Sequence, residues 1–371
     1  MASTTLFNFS VSSQVFLNPV DWKTVQQGMR DIFLDSGFDG CPHTVSFGAN
    51  NGSLILYSGP DGRSAVVQSY AEGLITVNMQ EPSKQEHLLM AEQLCTLEKR
   101  LATLLGCEKS KRFPRIQRSI SPCDPYIPTV DNRLVEYDFD RIVFEEDSKY
   151  QNIKIQHSPQ YGNMLILDND PNLAESDIAY TKAITGNGRQ DYRGKEILVL
   201  GGGDGGILHV LRQEDPAMIV MIEIDEVVIN AATKHLRGIC FDSMDELEGS
   251  NYKVIVEDCV PVLKQYATEG KQFDYVINDL TAIPITTEPQ GDQWDFLRLI
   301  LDLSMKVLKP TGRYFTQGNG ANMRDALAMY EQQLGKLSFK VEFSKETVCV
   351  PSYMEMWVFY EVWKQQGQNG S

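Results

Sequence analysis

Histidine and cysteine are too sparse and too scattered in this chain to build a metal centre. Five histidines are spread over 371 residues without an HExxH, and the seven cysteines stand singly, with no CxxC. A structural or catalytic zinc is therefore not expected. The odd cysteine count in so long a chain also argues against a disulfide framework and for the reduced thiols of a cytoplasmic protein. Positive charge is in deficit: 34 Lys and Arg face 50 Asp and Glu, a net charge of −16. Nucleic acid and anionic membrane select basic patches, so neither is expected as a partner. No apolar run approaches the roughly 18 residues of a membrane span. The N-terminal MASTTLFNFSVSS has neither the basic flank nor the apolar core of a signal peptide. The composition, 42% hydrophobic and 23% charged, is that of a folded soluble protein; its acidity is compatible with a cationic ligand, while charge alone favours a simple role in solubility.

Pattern divides the chain. Residues 1–106 read as an N-terminal α+β domain. A strand over 5–15 leads to a helix from about Asp21. Strands over 53–57, 64–69 and 73–79 follow, then a helix over 85–105 whose Leu94, Leu97, Leu101 and Leu104 share one face. Residues 107–130 hold four prolines and the basic cluster Lys109, Lys111, Arg112, Arg115 and Arg118; a solvated linker is expected. Residues 131–174 read as a small central β unit, with strands over 133–139, 152–158 and 163–167. Over 175–363 a helix at 175–184 precedes strict alternation of strands and helices. That order predicts an α/β domain with a doubly wound, mostly parallel sheet of Rossmann-like type. Residues 364–371 form a polar tail.

The segment KEILVLGGGDGGILHVL, 195–211, carries the chemistry. A buried-strand run breaks into Gly201, Gly202 and Gly203, and a helix follows, the order of a nucleotide-binding turn. Asp204 sits inside that turn, where a carboxylate would repel a pyrophosphate. The next strands also end in acid: Glu223 in MIEID, Asp258 in EDC and Asp279 in VINDL. Glu223 follows Gly203 at about the 20-residue distance of a Rossmann ribose-binding acid. In a doubly wound sheet these strand ends converge on one crevice. A nucleoside with positive charge and no phosphate, such as a sulfonium nucleoside, fits this acid ring better than a dinucleotide does. Two other classes remain open at this point: a methyltransferase using S-adenosylmethionine, and a non-catalytic polyamine-binding protein.

Over residues of about 120–363 the chain resembles the aminopropyltransferases, the polyamine synthases. The carriers are DSKYQNIKI (147–155), LVLGGGDGG (198–206), MIEID (221–225), EDC (257–259) and DYVINDL (274–280). NLAESDIAYTKAITG (172–186), NDLTAIPI (278–285) and VCVPSYMEMWVFYEVW (348–363) resemble the spermine-forming branch. The resemblance implies a methyltransferase-type Rossmann-like fold and transfer of an aminopropyl group from decarboxylated S-adenosylmethionine to spermidine. The products would be spermine and 5′-methylthioadenosine. No metal or cofactor is implied, since the decarboxylated nucleoside is a co-substrate. Asp279 would be the base and Asp204 would orient the reacting amine and the aminopropyl chain. Gln151, Glu223, Asp258 and Cys259 would hold the donor beside the Gly201 and Gly203 turn. Tyr180, Tyr353 and Glu355 would line the acceptor channel, with Asp177 either a further ligand or a helix-start acid. The resemblance also implies a homodimer through the N-terminal domain.

Overall fold

The computed structural model describes residues 2–13, 19–46, 52–82, 89–107, 109–118 and 123–365. The chain divides into two compact units, Met1–Ser121 and Pro122–Ser371.

The first unit runs β1 (Ala2–Ser10), α1 (Pro19–Asp35), β2 (His43–Ser46), β3 (Ser53–Ser58), β4 (Ser64–Tyr70), β5 (Leu74–Pro82), α2 (Ala91–Leu104), β6 (Lys109–Arg112) and β7 (Ile116–Arg118). The strands form one sheet in the order β2-β3-β4-β5-β1-β6, with β7 also paired to β1. Alternation along each strand decides the faces. Phe7, Phe9, Ile55, Val67, Ile75 and Val77 turn onto Met29 and Phe33 of α1 and onto Leu94, Leu97 and Leu101 of α2. Leu6, Leu54, Leu56 and Val66 on the opposite face are only half-buried.

Of the stretch 107–130 expected to be a linker, residues 109–118 are part of this unit, and Tyr126–Pro128 forms a strand of the second. Lys109–Arg112 pairs with residues 7–10 and Ile116–Arg118 with residues 2–4, so both complete the sheet beside β1. Basic side chains suit an edge strand because they discourage pairing with another chain, and they hide the strand from an apolar-pattern search. Arg115 is not a solvated cation either. It donates to the Leu89 carbonyl at 2.6 Å and to Glu81 Oε2 at 3.3 Å. Glu81 is buried, and a buried carboxylate needs such a partner. Of the strand foreseen over 5–15, residues 14 and 15 lie outside the described residues, as do 366–371 of the polar tail.

The second unit opens with the hairpin β8 (Tyr126–Pro128) and β9 (Leu134–Glu136). A four-stranded antiparallel sheet follows, made of β10 (Arg141–Asp147), β11 (Asn152–Ser158), β12 (Gly162–Leu167) and β13 (Asp170–Ala174). The strand foreseen over 133–139 shrinks to Leu134–Glu136, and β10 and β13 were not foreseen. Their sequences, RIVFEED and DPNLA, carry too much charge or turn chemistry to alternate. The helix foreseen over 175–184 begins at Ile178, as α3 (Ile178–Ile184).

The α/β layer then runs β14 (Glu196–Gly201), α4 (Gly206–Arg212), β15 (Met218–Glu223), α5 (Glu226–His235), α6 (Arg237–Cys240), β16 (Tyr252–Val256), α7 (Cys259–Glu269), β17 (Phe273–Asp279), α8 (Asp292–Val307), β18 (Leu308–Gly320), α9 (Arg324–Leu334), β19 (Val341–Val350) and β20 (Glu355–Lys364). The sheet order is β16-β15-β14-β17-β18-β20-β19, parallel from β16 to β18 and antiparallel beyond. This is the doubly wound α/β sheet that the sequence predicts. Ile197, Val199, Met221 and Ile277 pack on one face, and Leu198, Leu200, Ile222 and Val276 on the other. Burial on both faces is why these strands read as unbroken apolar runs. The chain steps from β14 outward to β16 and then returns to β17 on the other side of β14. The resulting switch point leaves a crevice beyond the carboxyl ends of β14 and β17. Among the described residues no helix is long and apolar enough to cross a membrane.

Candidate active site

Gly201 ends β14 directly opposite Asp279, the end of β17, in parallel register. At Gly201 φ is +78°, and a Cβ there would stand 2.5 Å from the Asp279 carbonyl oxygen. Only glycine tolerates both that conformation and that approach. At Gly203 the close approach is to a side chain instead, since a Cβ would meet Glu223 Oε2 at 2.8 Å. The Gly203 N–H donates to that oxygen at 3.1 Å, while Glu223 Oε1 accepts from the Asp225 N–H at 2.9 Å. Asp204 then turns back on its own loop, with Oδ1 accepting the Gly206 N–H at 2.8 Å. The glycines thus bring the ends of three strands close together and set carboxylates at them.

Tyr180, on α3, completes the cluster. Its hydroxyl donates to Asp279 Oδ1 at 2.5 Å. Its ring is held edge-on by Tyr353 at 6.2 Å and Phe359 at 5.1 Å between centroids. Burial, then the charges of Asp204 and Glu223, push the Asp279 carboxyl well above the usual carboxylate range; the Tyr180 hydroxyl bond pulls it partly back. Burial raises Asp204 and Glu223 as well. Burial and the neighbouring acid charges also lift the Tyr180 and Tyr353 hydroxyls, so both remain neutral donors. Buried acids that repel one another are stabilised by an incoming cation, which draws their protonation back down.

The remaining predicted residues surround this centre with different commitments. Gln151 donates through Nε2 to Asp225 Oδ2 at 3.1 Å, and Ser148 donates to the same oxygen at 2.6 Å. Asp225 in turn caps α5, accepting the Val227 N–H at 3.1 Å. Asp258 is exposed and caps α7 through the Val260 N–H at 2.8 Å. Cys259 is buried and its thiol is pushed up to about 12, chiefly by desolvation, which leaves it inert as a nucleophile. The Tyr353 hydroxyl donates to the Asn172 carbonyl at 2.5 Å. Glu355 is instead ion-paired, with Oε2 at 3.3 Å from Arg133 Nη2.

Asp177 is structural. Fully buried, it accepts from the Ala174 N–H at 2.7 Å, the Ser352 N–H at 2.9 Å and the Ser352 hydroxyl at 2.5 Å. It therefore ties the start of α3 to the loop before β20, which carries Tyr353. The contacts of Ser352 with Asp177, of Asp225 with Gln151 and of Arg133 with Glu355 escaped the sequence reading because they span 175, 74 and 222 residues. Among the described residues no His, Cys, Asp and Glu group is arranged to hold a metal ion.

Comparison with known proteins identifies the family and the fold. Residues 177–370 match the family model described as the spermine/spermidine synthase domain, and residues 125–175 match the spermidine synthase tetramerisation domain. Residues 1–124 lie outside both ranges. A polyamine aminopropyltransferase of Pyrococcus abyssi is 30% identical over 224 residues, 58% of this chain and 76% of that protein. Spermidine synthase 1 of Datura stramonium is 32% identical over 182 residues, 48% of this chain and 55% of its own length. Among solved structures, a spermidine synthase in complex with the transition state analogue AdoDATO superposes with a TM-score of 0.53 at 20% identity, covering 68% of this chain and 84% of that one. The Thermotoga maritima spermidine synthase gives 0.51 at 19% identity, with 68% and 83% covered. These two structures share the Rossmann-like fold described above.

Proposed function

The chain belongs to the spermine/spermidine synthase family of aminopropyltransferases, and from that premise we infer that it makes spermine, moving an aminopropyl group from decarboxylated S-adenosylmethionine to spermidine. The observation that carries this reading is the half-buried Asp279 at the switch point, bonded to Tyr180 and flanked by Asp204 and Glu223. In the reaction the carbon–sulfur bond of the sulfonium breaks as the amine nitrogen bonds to the same carbon. The sulfur leaves as a neutral thioether, 5′-methylthioadenosine, so neither a metal nor a covalent enzyme intermediate is needed. Catalysis rests on alignment and on freeing the amine lone pair.

That second task is sizeable. An alkylammonium with a pKa of about 10.4 costs about 4.6 kcal/mol to deprotonate at pH 7. A ring of acids holds the polycation but opposes its deprotonation, so one acceptor must be directional. Asp279 takes the proton, its lifted proton affinity narrowing the gap to the amine. Asp204 orients the reacting nitrogen where other folds bind phosphate. Glu223 holds the ribose hydroxyls, Asp258 and the Cys259 backbone flank adenine, Gln151 adds to the donor site, and Gly201 and Gly203 let the backbone approach it. Tyr180, Tyr353 and Glu355 line the acceptor channel, and no further cofactor takes part.

Spermidine as acceptor is supported by the stretches 172–186, 278–285 and 348–363 and by Glu355 as an added acid for the third nitrogen. Self-association as a homodimer is supported by the half-buried Leu6, Leu54, Leu56 and Val66 on the face of the first unit's sheet opposite α1 and α2. A cytoplasmic location is supported by the lack of any disulfide among the described cysteines. Offering putrescine and spermidine together with the decarboxylated donor tests the acceptor by mass spectrometry. Spermine is the expected product; spermidine formed from putrescine alone would reassign the acceptor.

A further inference from the structure

We propose that Arg133 is a specificity-determining latch: it occupies Glu355 in the free enzyme and is displaced from it by the third ammonium group of a triamine. The inference rests on the reading above that Glu355 binds the acceptor. Arg133 uses separate nitrogens for two carboxylates. Its Nη2 lies 3.3 Å from Glu355 Oε2, while its Nε lies 2.7 Å from Asp131 Oδ2. Leaving Glu355 therefore does not strand the guanidinium, because the shorter bond to Asp131 survives. Both ends of the Glu355 contact keep solvent access, with 47% of the Arg133 side chain and 24% of the Glu355 side chain exposed. An ion pair so placed is weak and exchangeable.

The latch sits on a prebuilt turn. Thr129 Oγ1 accepts the Arg133 N–H at 2.9 Å and donates to Asp131 at 2.5 Å, and Asn132 takes the left-handed φ of +61° that closes the turn. The hairpin is moored to the acceptor side by Tyr137, whose hydroxyl donates to the Ser352 carbonyl at 2.9 Å. Ser352 is the residue Asp177 grips, next to Tyr353 and three positions before Glu355. The Arg133 cation is thereby held against the far carboxylate of the proposed acceptor channel.

A diamine, having no third nitrogen to offer Glu355, leaves the latch in place. Steady-state kinetics of Arg133→Ala with spermidine and with putrescine tests this. The KM for spermidine is expected to fall on the order of two- to fivefold, the scale of a half-exposed ion pair, in KM and not in kcat. The KM for putrescine is expected to stay put. In a Glu355→Gln background the same substitution should lose its effect. An Arg133→Ala enzyme whose spermidine KM is unchanged or raised, while Glu355→Gln alone raises it, overturns the latch. A Glu355→Gln enzyme with an unchanged spermidine KM instead overturns the acceptor role of Glu355, whatever Arg133 does.

Discussion

Tyr180 and Asp279 are 99 residues apart in the chain, yet the tyrosine hydroxyl donates to the Asp279 carboxylate at 2.5 Å. The contact joins a helix before the α/β layer to the end of its fourth strand. It places one donor on a carboxylate that burial and two neighbouring acids are lifting.

Tyr180→Phe removes that donor and keeps the ring in its packing against Tyr353 and Phe359. Since the hydroxyl bond lowers the Asp279 pKa, its loss should raise it further. The acid limb of the kcat/KM profile, set by ionisation of the base in free enzyme, should therefore move to higher pH. A profile superimposable on wild type would separate Tyr180 from the titration of Asp279.

The lifted carboxyl also makes a stability prediction. With a native pKa above the unfolded value of 3.8, the native state holds a proton that the unfolded chain has released. By linkage, the contribution of Asp279 to stability is greatest below about pH 3.8 and is lost as pH rises through the raised native value. Asp279→Asn abolishes this dependence while keeping an oxygen for Tyr180. The variant should melt above wild type at neutral pH, and the gap should close as the pH approaches about 4. Thermal melts across that range check it; a gap that does not vary with pH contradicts it.

Asp204 predicts donor discrimination. A carboxylate beside the donor's aminopropyl chain opposes the extra carboxylate of S-adenosylmethionine. The decarboxylated nucleoside should bind at least about tenfold more tightly, about 1.4 kcal/mol. Calorimetry with both nucleosides decides the matter, and Asp204→Asn should narrow the ratio. Equal affinities for the wild type would remove Asp204 from the donor's charged end.

Deletion of residues 1–121 tests assembly. A cut at residue 106 would leave β6 and β7 without β1, so the unit boundary is the proper place. Light scattering should report monomers if the half-buried sheet face of the first unit makes the dimer. A surviving oligomer would place the interface within the second unit, where residues 125–175 match a tetramerisation domain.

What the sequence made legible follows from physics that acts along the chain. Strands β14 to β17 are buried on both faces, so they stand out as apolar runs, and the acids at their ends are located by the sheet's topology alone. Lys109–Arg112 was hidden because an exposed edge strand needs no apolar face. The Asp177 brace spans 175 residues to Ser352 and the Arg133 contact spans 222 residues to Glu355. Neither pairing leaves a local pattern. Asp177 shows the consequence: from sequence it is either a ligand or a helix-start acid, and in the fold its oxygens are taken by the Ala174 and Ser352 backbone and the Ser352 hydroxyl.

The measurement that bears most directly on the account is the pH–rate profile of Asp279→Asn with saturating donor. The substitution keeps size and shape but removes the charge and nearly all proton affinity. The loss should fall on kcat, on the order of 10² to 10⁴ as for general base catalysis, with donor affinity little changed because Glu223 and Asp258 remain. Raising the pH should recover much of the lost rate, since free amine then forms without the carboxylate, and the wild type should rise less over the same range. A variant with near-normal kcat, or one impaired only in KM, would make Asp279 a binding residue and contradict the assignment of the base.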